Sequence, residues 1–367
     1  MTNKQPLRFG ILGAGAISTA HIKALNSLKN SGLAELVAVA DMRFETAQKI
    51  ANEQNITAYP SLETMLEHQG LDGVAICTPP NVHADQAVLA LNAGKHVVIE
   101  KPADVCVAAV KRIEAAQKSS GCLATVISQH RYDTSARVIK QALNAGRFGR
   151  LTRAAAQVRW WRPQEYFDAV PWRGSMEISG GGALISQSIH TLDLMVWMMG
   201  SVEEVFAYSG VLAHERIEVE DTLAAVLKFS SGAIGVIEAS IATYPGLSAR
   251  LEISGDRGSA TIDGDQLIYF HAAEKGEQTS MYGAFGDTNR MDAELAAFGS
   301  GFEASSSHEP GQLSSAHQEQ YKEFCTAIFE QRPPDISLED GAYAIRVIEA
   351  IHDSARLGQA VKLEVKA

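Results

Sequence analysis

Apolar strands and helices alternate over the first 128 residues of the chain, and this alternation constrains the fold more than any other feature. Several short segments are almost continuously apolar, and each is followed by a segment with helical periodicity. These apolar segments are 7–12, 35–40, 73–77, 96–100 and 123–128. Strands without polar alternation are buried on both faces, which is typical of a parallel sheet. The pattern predicts an α/β chain that begins with a doubly wound, Rossmann-type parallel sheet.

A glycine-rich turn joins the first predicted strand to the first predicted helix. It reads Gly13-Ala14-Gly15-Ala16-Ile17-Ser18, a G-x-G-x-x-S pattern. Gly13 permits the tight turn, and Gly15 lets the backbone approach a pyrophosphate. The helix start at Ala16 and Ile17 offers free N–H groups to the phosphates. Such a turn alone is also an ordinary strand exit, so its place at a strand–helix junction is what favours a dinucleotide site.

Asp41 ends the next predicted strand, where an acidic residue suits the ribose hydroxyls of NAD. Its carboxylate would repel the 2′-phosphate of NADP, so NAD is the predicted cofactor. Arg43 keeps NADP open, because a guanidinium pairs with a phosphate or stacks on adenine. A solvated loop charge is an equally good interpretation of Arg43.

The sequence pattern changes after residue 128. Helical patterns at 134–145 and 183–199 are followed, from residue 202 to 262, by short strands with turn signals between them. We expect a Rossmann domain at 1–128 that binds NAD(P). We expect an α+β domain at 129–367, with a mostly antiparallel open sheet, that binds substrate and forms oligomers. The Gly- and Ser-rich segment Gly299 to Ser315 is predicted to be a loop.

Composition excludes several classes of protein. The formal net charge of −11 argues against a nucleic-acid partner, which needs clustered Lys and Arg. No uninterrupted apolar run reaches 18 residues and no targeting segment shows, so we expect a cytoplasmic protein without a membrane span. The cysteines lack zinc spacing, so no metal is predicted.

Several motifs together resemble the Gfo/Idh/MocA oxidoreductase family, which includes glucose–fructose oxidoreductase and inositol dehydrogenase. The chain carries Glu100-Lys101-Pro102 after a strand and Gly180-Gly181-Gly182-Ala183-Leu184 before a helix with His190 and Asp193. It also carries Thr78-Pro79-Pro80-Asn81-x-His83 and Ser337-Leu338-Glu339-Asp340-Gly341. The resemblance spans essentially the whole chain and implies a hydride-transferring enzyme.

The resemblance implies two catalytic residues, Lys101 and His190. The family commonly has Asp four residues before this histidine and Gly two before it, whereas this chain has Ser186 and Ser188. The Lys–Asp–His triad of inositol dehydrogenases is therefore incomplete, which counts against inositol as substrate. The alternative for Lys101 is an ordinary surface lysine. The alternative for His190 is a core histidine whose hydrogen bonds are satisfied within the protein. Asp193, three residues on, either orients His190 or has a structural role.

Further residues are predicted to contact cofactor or substrate. The indole rings of Trp160, Trp161 and Trp172 suit the apolar face of a pyranose ring. The alternative is that these residues anchor the core of the second domain. His317 is a weaker site candidate. Beyond the glycine turn, Asp41 and Arg43, the predicted cofactor residues are Thr78, Pro79, Asn81, His83, Glu100, Lys101, Gln129, Trp172 and Arg173. The predicted substrate residues are Lys101, Arg131, Tyr132, Trp160, Trp161, Arg162, Ser186, Gln187 and His190.

The predicted function is NAD-dependent oxidation of a secondary hydroxyl of a pyranose sugar, glycoside or related cyclic polyol. One alternative is NAD-assisted elimination or cleavage of a glycoside through a transient keto-sugar. A second alternative is a non-catalytic regulatory protein that senses sugar or NAD on the same fold. The resemblance also implies a homo-oligomer, a dimer or tetramer, formed through the open face of the second sheet.

Overall fold

The computed structural model describes residues 5–274, 276–277, 281–284, 286, 288–299 and 314–364. These residues form two compact units. The first unit contains residues 5–129, 177–180 and 314–345, and the second contains the described residues of 130–176, 181–299 and 346–364. The prediction of separate cofactor and substrate domains divided at residue 129 stays a prediction.

The first unit is built on a parallel sheet of six strands among the described residues, in the order β3-β2-β1-β4-β5-β6. This is the strand order of a doubly wound dinucleotide-binding fold, so the predicted fold class is confirmed. The strands are β1 Leu7–Leu12, β2 Ala34–Ala40, β3 Thr57–Tyr59, β4 Gly73–Ile76, β5 His96–Ile99 and β6 Ala124–Val126.

Helices cover both faces of this sheet. Residues of α3, α4 and α5 form one apolar core with β4 and β5, and residues of α1 form another with β1. The helices are α1 Ser18–Asn30, α2 Phe44–Gln54, α3 Leu62–Leu66, α4 His83–Asn92 and α5 Val107–Ser120, with a 3₁₀ turn at Pro80–Val82.

Residues 314–345, far along the chain, complete the same two cores. Tyr321 and Phe324 are fully buried against the face that α1 covers, and Leu338 and Ala342 join the opposite core. Most of the segment predicted as a loop, residues 300–313, lies outside the described residues. Its last two residues, Ser314 and Ser315, begin a helix instead.

The second unit is built on a sheet of eight strands among the described residues, in the order β13-β12-β11-β7-β10-β9-β8-β14. Only the β7–β10 pair is parallel among these pairings, so the prediction of a mostly antiparallel sheet is confirmed. The strands are β7 Leu151–Arg159, β8 Val202–Gly210, β9 Thr222–Phe229, β10 Ile234–Ser240, β11 Arg250–Gly255, β12 Gly258–Asp263, β13 Gln266–Ala272 and β14 Val361–Lys362.

One face of this sheet carries exposed apolar side chains. Along β9 the burial alternates strictly, with Leu223 and Leu227 buried and Val226 exposed. Val236 and Tyr208 are exposed on neighbouring strands. Exposed apolar surface of this kind is typical of a protein contact. The predicted homo-oligomer stays a prediction.

Several elements of the second unit differ from the sequence expectation. Strand β7 was not predicted, because its centre is three alanines and β-propensity there is weak. It forms because β10 and β11 pair with it on either side. The helix predicted over 183–199 is a π-helical turn, Ala183–Ser188, followed by an α-helix, Ile189–Met199.

The remaining helices are α6 to α12, of which α9 is Ile189–Met199. Their bounds are α6 Thr134–Asn144, α7 Glu165–Asp168, α8 Met176–Ser179, α10 Met291–Phe298, α11 Ser314–Glu330 and α12 Leu338–Leu357, with 3₁₀ turns at Gln129–Tyr132 and Pro171–Gly174. In the described part of the chain, no helix combines the length and apolarity that a bilayer crossing requires.

Candidate active site

The glycine turn between β1 and α1 leaves open space above its backbone. Gly13 has φ +94°, and a Cβ there would lie 2.7 Å from the Cys77 carbonyl oxygen, so only glycine fits. A Cβ at Gly15 would meet nothing within 4 Å. Helix α1 begins at Ser18 without a side-chain cap. Its first three amides donate to the carbonyls of Gly15, Ala16 and Ile17, so the helix start offers an anion the positive end of its dipole.

Asp41 is buried and fixed against this turn. Its Oδ2 accepts a hydrogen bond from the amide of Ala14 at 2.8 Å, and its Oδ1 accepts one from the amide of Arg43 at 2.8 Å. The Arg43 side chain is 73% exposed, with Nε 3.7 Å from Asp41 Oδ1. The carboxylate therefore holds the turn in shape and keeps lone pairs for further donors.

A buried acceptor in the same unit supports the fit to a dinucleotide. Gln129 is buried, and its Oε1 has no hydrogen-bond partner among the described residues. An orphaned acceptor costs free energy unless a ligand or water satisfies it. Together with the open backbone at Gly15 and the uncapped helix, this atom fits an amide-bearing cofactor such as NAD.

His83 ties two loops of the first unit together. Its Nδ1 lies 2.8 Å from the Pro102 carbonyl oxygen, and its Nε2 lies 2.8 Å from that of Thr78. Burial lowers the pKa of His83, and these two contacts oppose the shift. The ring is fully buried, whereas Pro79 and Asn81 in the same loop are half-buried. His83 is thus placed to position the loops that carry Thr78 and Lys101.

Glu100, at the end of β5, is the centre of a buried polar network. Its Oε1 lies 2.9 Å from His21 Nε2 and 3.3 Å from His317 Nε2, and His21 Nδ1 lies 2.7 Å from the Tyr321 hydroxyl. Its Oε2 accepts a hydrogen bond from the Lys101 amide at 2.9 Å. Burial alone would raise the pKa of Glu100, but the two histidines lower it well below its usual value.

This network is satisfied by direct hydrogen bonds. The three ligand atoms of His21, Glu100 and His317 lie within 4.8 Å of one another, a spacing that a metal ion could bridge. The contact distances are nevertheless those of hydrogen bonds, so the group is internally balanced. It fixes the backbone from which the Lys101 side chain starts.

Lys101 follows β5 at the carboxyl end of the parallel strands, where ligands bind in such sheets. The residue is half-buried. Burial lowers the pKa of Lys101, and the Glu100 carboxylate opposes this shift. A lysine with a lowered pKa has more neutral amine at neutral pH, which a proton-accepting group requires.

His190 lies in the first turn of α9, in the second unit. Its ring packs edge-to-face on that of His130, with centroids 5.0 Å apart. His130 Nδ1 lies 2.7 Å from Asp133 Oδ2 and 3.5 Å from Asp265 Oδ1. Both rings are half-buried. A carboxylate is therefore linked to His190 through one intervening imidazole.

Glu220 holds the backbone that leads into α9. Its Oε2 and Oε1 accept hydrogen bonds from the amides of Gly182 (2.9 Å) and Leu184 (3.0 Å). A Cβ at Gly182 would lie 1.8 Å from the Glu220 carbonyl oxygen, so this position requires glycine. Burial would raise the pKa of Glu220, but His352 and these amides lower it. The glycine run thus permits a close backbone approach that starts the π-helical turn.

Arg131 and Asp193 form a buried bidentate ion pair. Arg131 Nε lies 2.8 Å from Asp193 Oδ2, and Arg131 Nη2 lies 2.6 Å from Oδ1. This contact gives Asp193 a structural partner other than His190. Arg131 is buried, and its predicted contact with substrate stays a prediction. Tyr132, also predicted at the substrate, is buried as well.

Trp160, Arg162 and Gln187 come together with Tyr166, a residue the sequence did not single out. The Arg162 guanidinium lies 5.3 Å from the Trp160 ring and 5.6 Å from the Tyr166 ring. Its Nη2 donates to Gln187 Oε1 at 3.1 Å, and Gln187 Nε2 donates to the Tyr166 hydroxyl at 3.1 Å. Arg173 stacks on the same tyrosine at 4.1 Å.

Trp161 belongs to a neighbouring aromatic group. Its ring packs edge-to-face on Tyr244, 5.5 Å between centroids, and tilted on His214 at 6.1 Å. Asp221 holds His214, with 3.0 Å between Asp221 Oδ2 and His214 Nδ1. Trp160 and Trp161 thus have different neighbours, and both are half-buried, as is Trp172. Ser186 is also half-buried, and its hydroxyl donates to the Gly181 carbonyl at 3.4 Å.

Sequence reasoning missed the residues that support the predicted ones. His21 lies among the apolar residues of the buried face of α1, and a polar residue on such a face was the available signal. Tyr321, Glu220 and Asp221 carried no comparable signal, because their partners are distant in sequence. The weaker candidate His317 lies in the Glu100 network.

The fold and the glycine turn are those of a dinucleotide-binding protein, and the family match identifies it as an NAD-binding oxidoreductase. The family model described as "Oxidoreductase family, NAD-binding Rossmann fold" matches residues 7–128, and that of the "GFO/IDH/MocA C-terminal domain" matches residues 136–261. The chain belongs to the Gfo/Idh/MocA oxidoreductase family. The predicted resemblance, the enzyme class and NAD as cofactor are confirmed.

Relatives of this chain act on sugars and polyols. It is 28% identical over 367 residues to the myo-inositol 2-dehydrogenase of Thermotoga maritima, covering 98% of this chain and 99% of that one. It is 27% identical over 317 residues to the D-glucoside 3-dehydrogenase of Escherichia coli, covering 80% and 87%. A crystal structure of the WlbA dehydrogenase from Bordetella pertussis with NADH and UDP-GlcNAcA is 31% identical, with a TM-score of 0.83 over 99% of this chain and 100% of that one.

Proposed function

We propose that this protein oxidises a secondary hydroxyl group of a pyranose sugar, a glycoside or a related cyclic polyol. The observation that carries the proposal is Lys101, a half-buried amine with a lowered pKa, fixed beside Glu100 at the end of β5. Similarity to dehydrogenases of inositol and glucosides supports a cyclic polyol as the substrate class. Bound NAD supplies the acceptor for the hydride.

We assign the cofactor to the glycine turn and the adjoining strand ends of the first unit. Asp41 binds the ribose hydroxyls, and the α1 start binds the diphosphate. Glu100 and His83 act by positioning the loops. The residues assigned to direct contact are Gly13, Gly15, Ala16, Ile17, Asp41, Arg43, Thr78, Pro79, Asn81, Lys101 and Gln129. The cofactor contacts of Trp172 and Arg173 stay predictions.

Lys101 is the proposed proton-transferring group. Its neutral amine accepts the hydroxyl proton during oxidation, and its ammonium returns a proton during reduction. Burial raises the neutral fraction of the amine. The Glu100 carboxylate works in the opposite direction and helps the amine to hold the proton it has accepted.

His190 is proposed to bind the substrate hydroxyl and to share in proton transfer. Ser186 stands where related enzymes with a complete triad have a carboxylate, so it contributes a hydrogen bond without charge. We propose that Asp133, acting through His130, orients His190 in its place. Trp160, Trp161, Arg162 and Gln187 are the proposed sugar contacts.

A substrate panel tests the proposal directly. NADH formation is measured with pyranoses, glycosides and inositols, using wild type, Lys101→Met and the exposed control Lys111→Met. We expect NADH from at least one cyclic polyol, and a loss of about a thousand-fold in kcat for Lys101→Met only. NAD affinity, measured by protein fluorescence quenching, should fall far less than kcat in Lys101→Met and should equal that of wild type in Lys111→Met.

Other outcomes distinguish the alternatives. Release of an aglycone without accumulation of NADH would favour glycoside cleavage through a transient keto-sugar. Sugar binding without turnover, equal in wild type and Lys101→Met, would contradict the proposed oxidation and favour a sensing role.

A further inference from the structure

Within the described ranges, Arg162 leaves most of its hydrogen-bonding capacity unused. A guanidinium offers five N–H donors. The contacts of this one are with neutral acceptors, the Gln187 amide oxygen at 3.1 Å and the Trp161 carbonyl oxygen at 3.1 Å. The remaining donors leave room for a bidentate acceptor such as a carboxylate or a phosphate.

No carboxylate among the described residues forms an ion pair with Arg162 or Arg173. The chain has 43 acidic and 32 basic residues. Arg131 and Arg216, in the same unit, are both paired, with Asp193 and Asp168 respectively. Acidic residues are thus plentiful, yet none in the described part of the chain pairs with these two arginines.

The two arginines share one aromatic ring. Both guanidinium groups lie within 6 Å of the Tyr166 ring centroid, Arg173 at 4.1 Å and Arg162 at 5.6 Å. Both residues are half-buried. Two positive charges around one ring at partly desolvated positions repel each other, so the binding of an anion beside them is favourable.

This cationic cluster, Arg162, Arg173 and Tyr166, is connected to the helix that carries His190. Gln187 bonds to Arg162 and to Tyr166, and it precedes His190 by three residues. Gln187 lies in the π-helical turn Ala183–Ser188, which leads directly into the helix α9 that carries His190. All of these residues belong to the second unit.

We propose that the substrate carries an anionic group, which Arg162 binds with Arg173 supplying a second positive charge. The substrate class is then an acidic sugar, either a uronate or a sugar phosphate, and not a neutral pyranose. This inference rests on the proposed function for its sugar, whereas the anion follows from the arginines alone.

Binding to the NADH-loaded protein tests the inference with glucose, glucuronate, the methyl ester of glucuronate and glucose 1-phosphate as probes. Calorimetry should show that one of the two anions binds at least tenfold more tightly than glucose. Preference for glucuronate over its neutral ester identifies a carboxylate subsite, and preference for glucose 1-phosphate identifies a phosphate subsite. Added salt should weaken binding of the anion only.

Variants separate the arginine from the fold. Arg162→Gln should weaken anion binding about 10- to 100-fold and glucose binding far less, because only the anion loses charge-assisted hydrogen bonds. Arg162→Lys should retain part of the affinity, since it keeps the charge but loses the bidentate fork. The exposed Arg150→Gln, which removes a charge elsewhere in the unit, should behave as wild type. Thermal unfolding checks that each variant is folded.

The outcomes for this inference and for the proposed function are distinct. If neither anion binds more tightly than glucose, or if Arg162→Gln affects glucose and the anions equally, the anionic subsite is overturned. Oxidation of glucose with NAD would then still support the proposed function. Tight anion binding without NADH formation from any sugar would uphold the subsite and contradict the oxidation.

Discussion

Glu100 and Arg162 both carry a charge that is at least partly removed from water, but only the charge of Glu100 is balanced by neighbouring groups of the protein. Glu100 is buried, and each of its oxygens has a partner within its own unit, supplied by two histidines and a backbone amide. Arg162 is half-buried and contacts only uncharged acceptors among the described residues. One charge is balanced by the protein, and the other is left for a ligand.

This difference separates residues that tune the chemistry from residues that select the substrate. A charge balanced inside the protein affects stability and the pKa of its neighbours whether or not a ligand is bound. A charge that the protein does not balance affects mainly the binding of the ligand that neutralises it. We therefore expect substitutions around Glu100 to change kcat, pH dependence and stability, and substitutions around Arg162 to change KM.

Of the substitutions that test this difference, Glu100→Gln should have the largest effect. Removing the carboxylate lowers the pKa of Lys101 further, so the rising limb of the pH profile of kcat/KM moves to lower pH. The free energy of unfolding at pH 7 should fall by about 1–3 kcal/mol. A neutral amide replaces the carboxylate that faces His21 and His317, and its NH2 group cannot accept the hydrogen bond of the Lys101 amide. Chemical denaturation and steady-state kinetics across pH measure both effects.

The pH dependence of this loss has a definite sign. The folded pKa of Glu100 is depressed, so its contribution is present above the unfolded value of about 4.3 and is lost as pH falls through the folded pKa. The difference between wild type and Glu100→Gln should shrink below about pH 4. Glu53→Gln, on the surface of α2, is the control. An unchanged pH profile of kcat/KM in Glu100→Gln would contradict the claim that Glu100 affects the ionisation of Lys101.

Trp160→Ala should have an intermediate effect, confined to the sugar. Trp160 packs against Arg162, so its loss removes an apolar face and loosens the guanidinium. We expect KM for the sugar to rise about tenfold, with kcat and the KM for NAD within about twofold of wild type. The KM of Trp160→Phe for the sugar should lie between those of wild type and Trp160→Ala. A fall in kcat with unchanged KM would show that Trp160 serves the chemistry and not recognition.

Arg43→Ala should have the smallest effect. The side chain is 73% exposed and lies 3.7 Å from Asp41, so screening by water limits its contribution. We expect the KM for NAD to change less than about threefold. The same kinetics with NADP test the other interpretation, since a large loss restricted to NADP would mean that Arg43 pairs with its 2′-phosphate.

The fold and the glycine turn could be predicted because their signals are local. Uninterrupted apolar strands and the spacing of Gly13 and Gly15 depend on neighbouring residues only. Strand β7 was missed for the converse reason, since its alanine-rich centre is a strand only between β10 and β11. The π-helical turn depends on Glu220, whose sequence position gives no hint of it.

The proposed reacting groups of the candidate site could be predicted from the sequence, but the residues that position them could not. Lys101 and His190 stood out through their motifs, whereas the Glu100 network joins His21 to Tyr321 across almost the whole chain. Contacts of that range follow from the packing of α11 on the sheet and not from any spacing. Tyr166 was missed because its role exists only through Arg162, Arg173 and Gln187.

The pH dependence of kcat/KM for sugar oxidation by wild type and Lys101→Met tests the central claim most directly. The wild-type rate should rise through a single ionisation that lies below the ordinary lysine value of about 10.4, because burial lowers the pKa of Lys101. That ionisation should vanish in Lys101→Met, together with about a thousand-fold of the rate. A variant that keeps the wild-type rate and the same ionisation would contradict the assignment of proton transfer to Lys101.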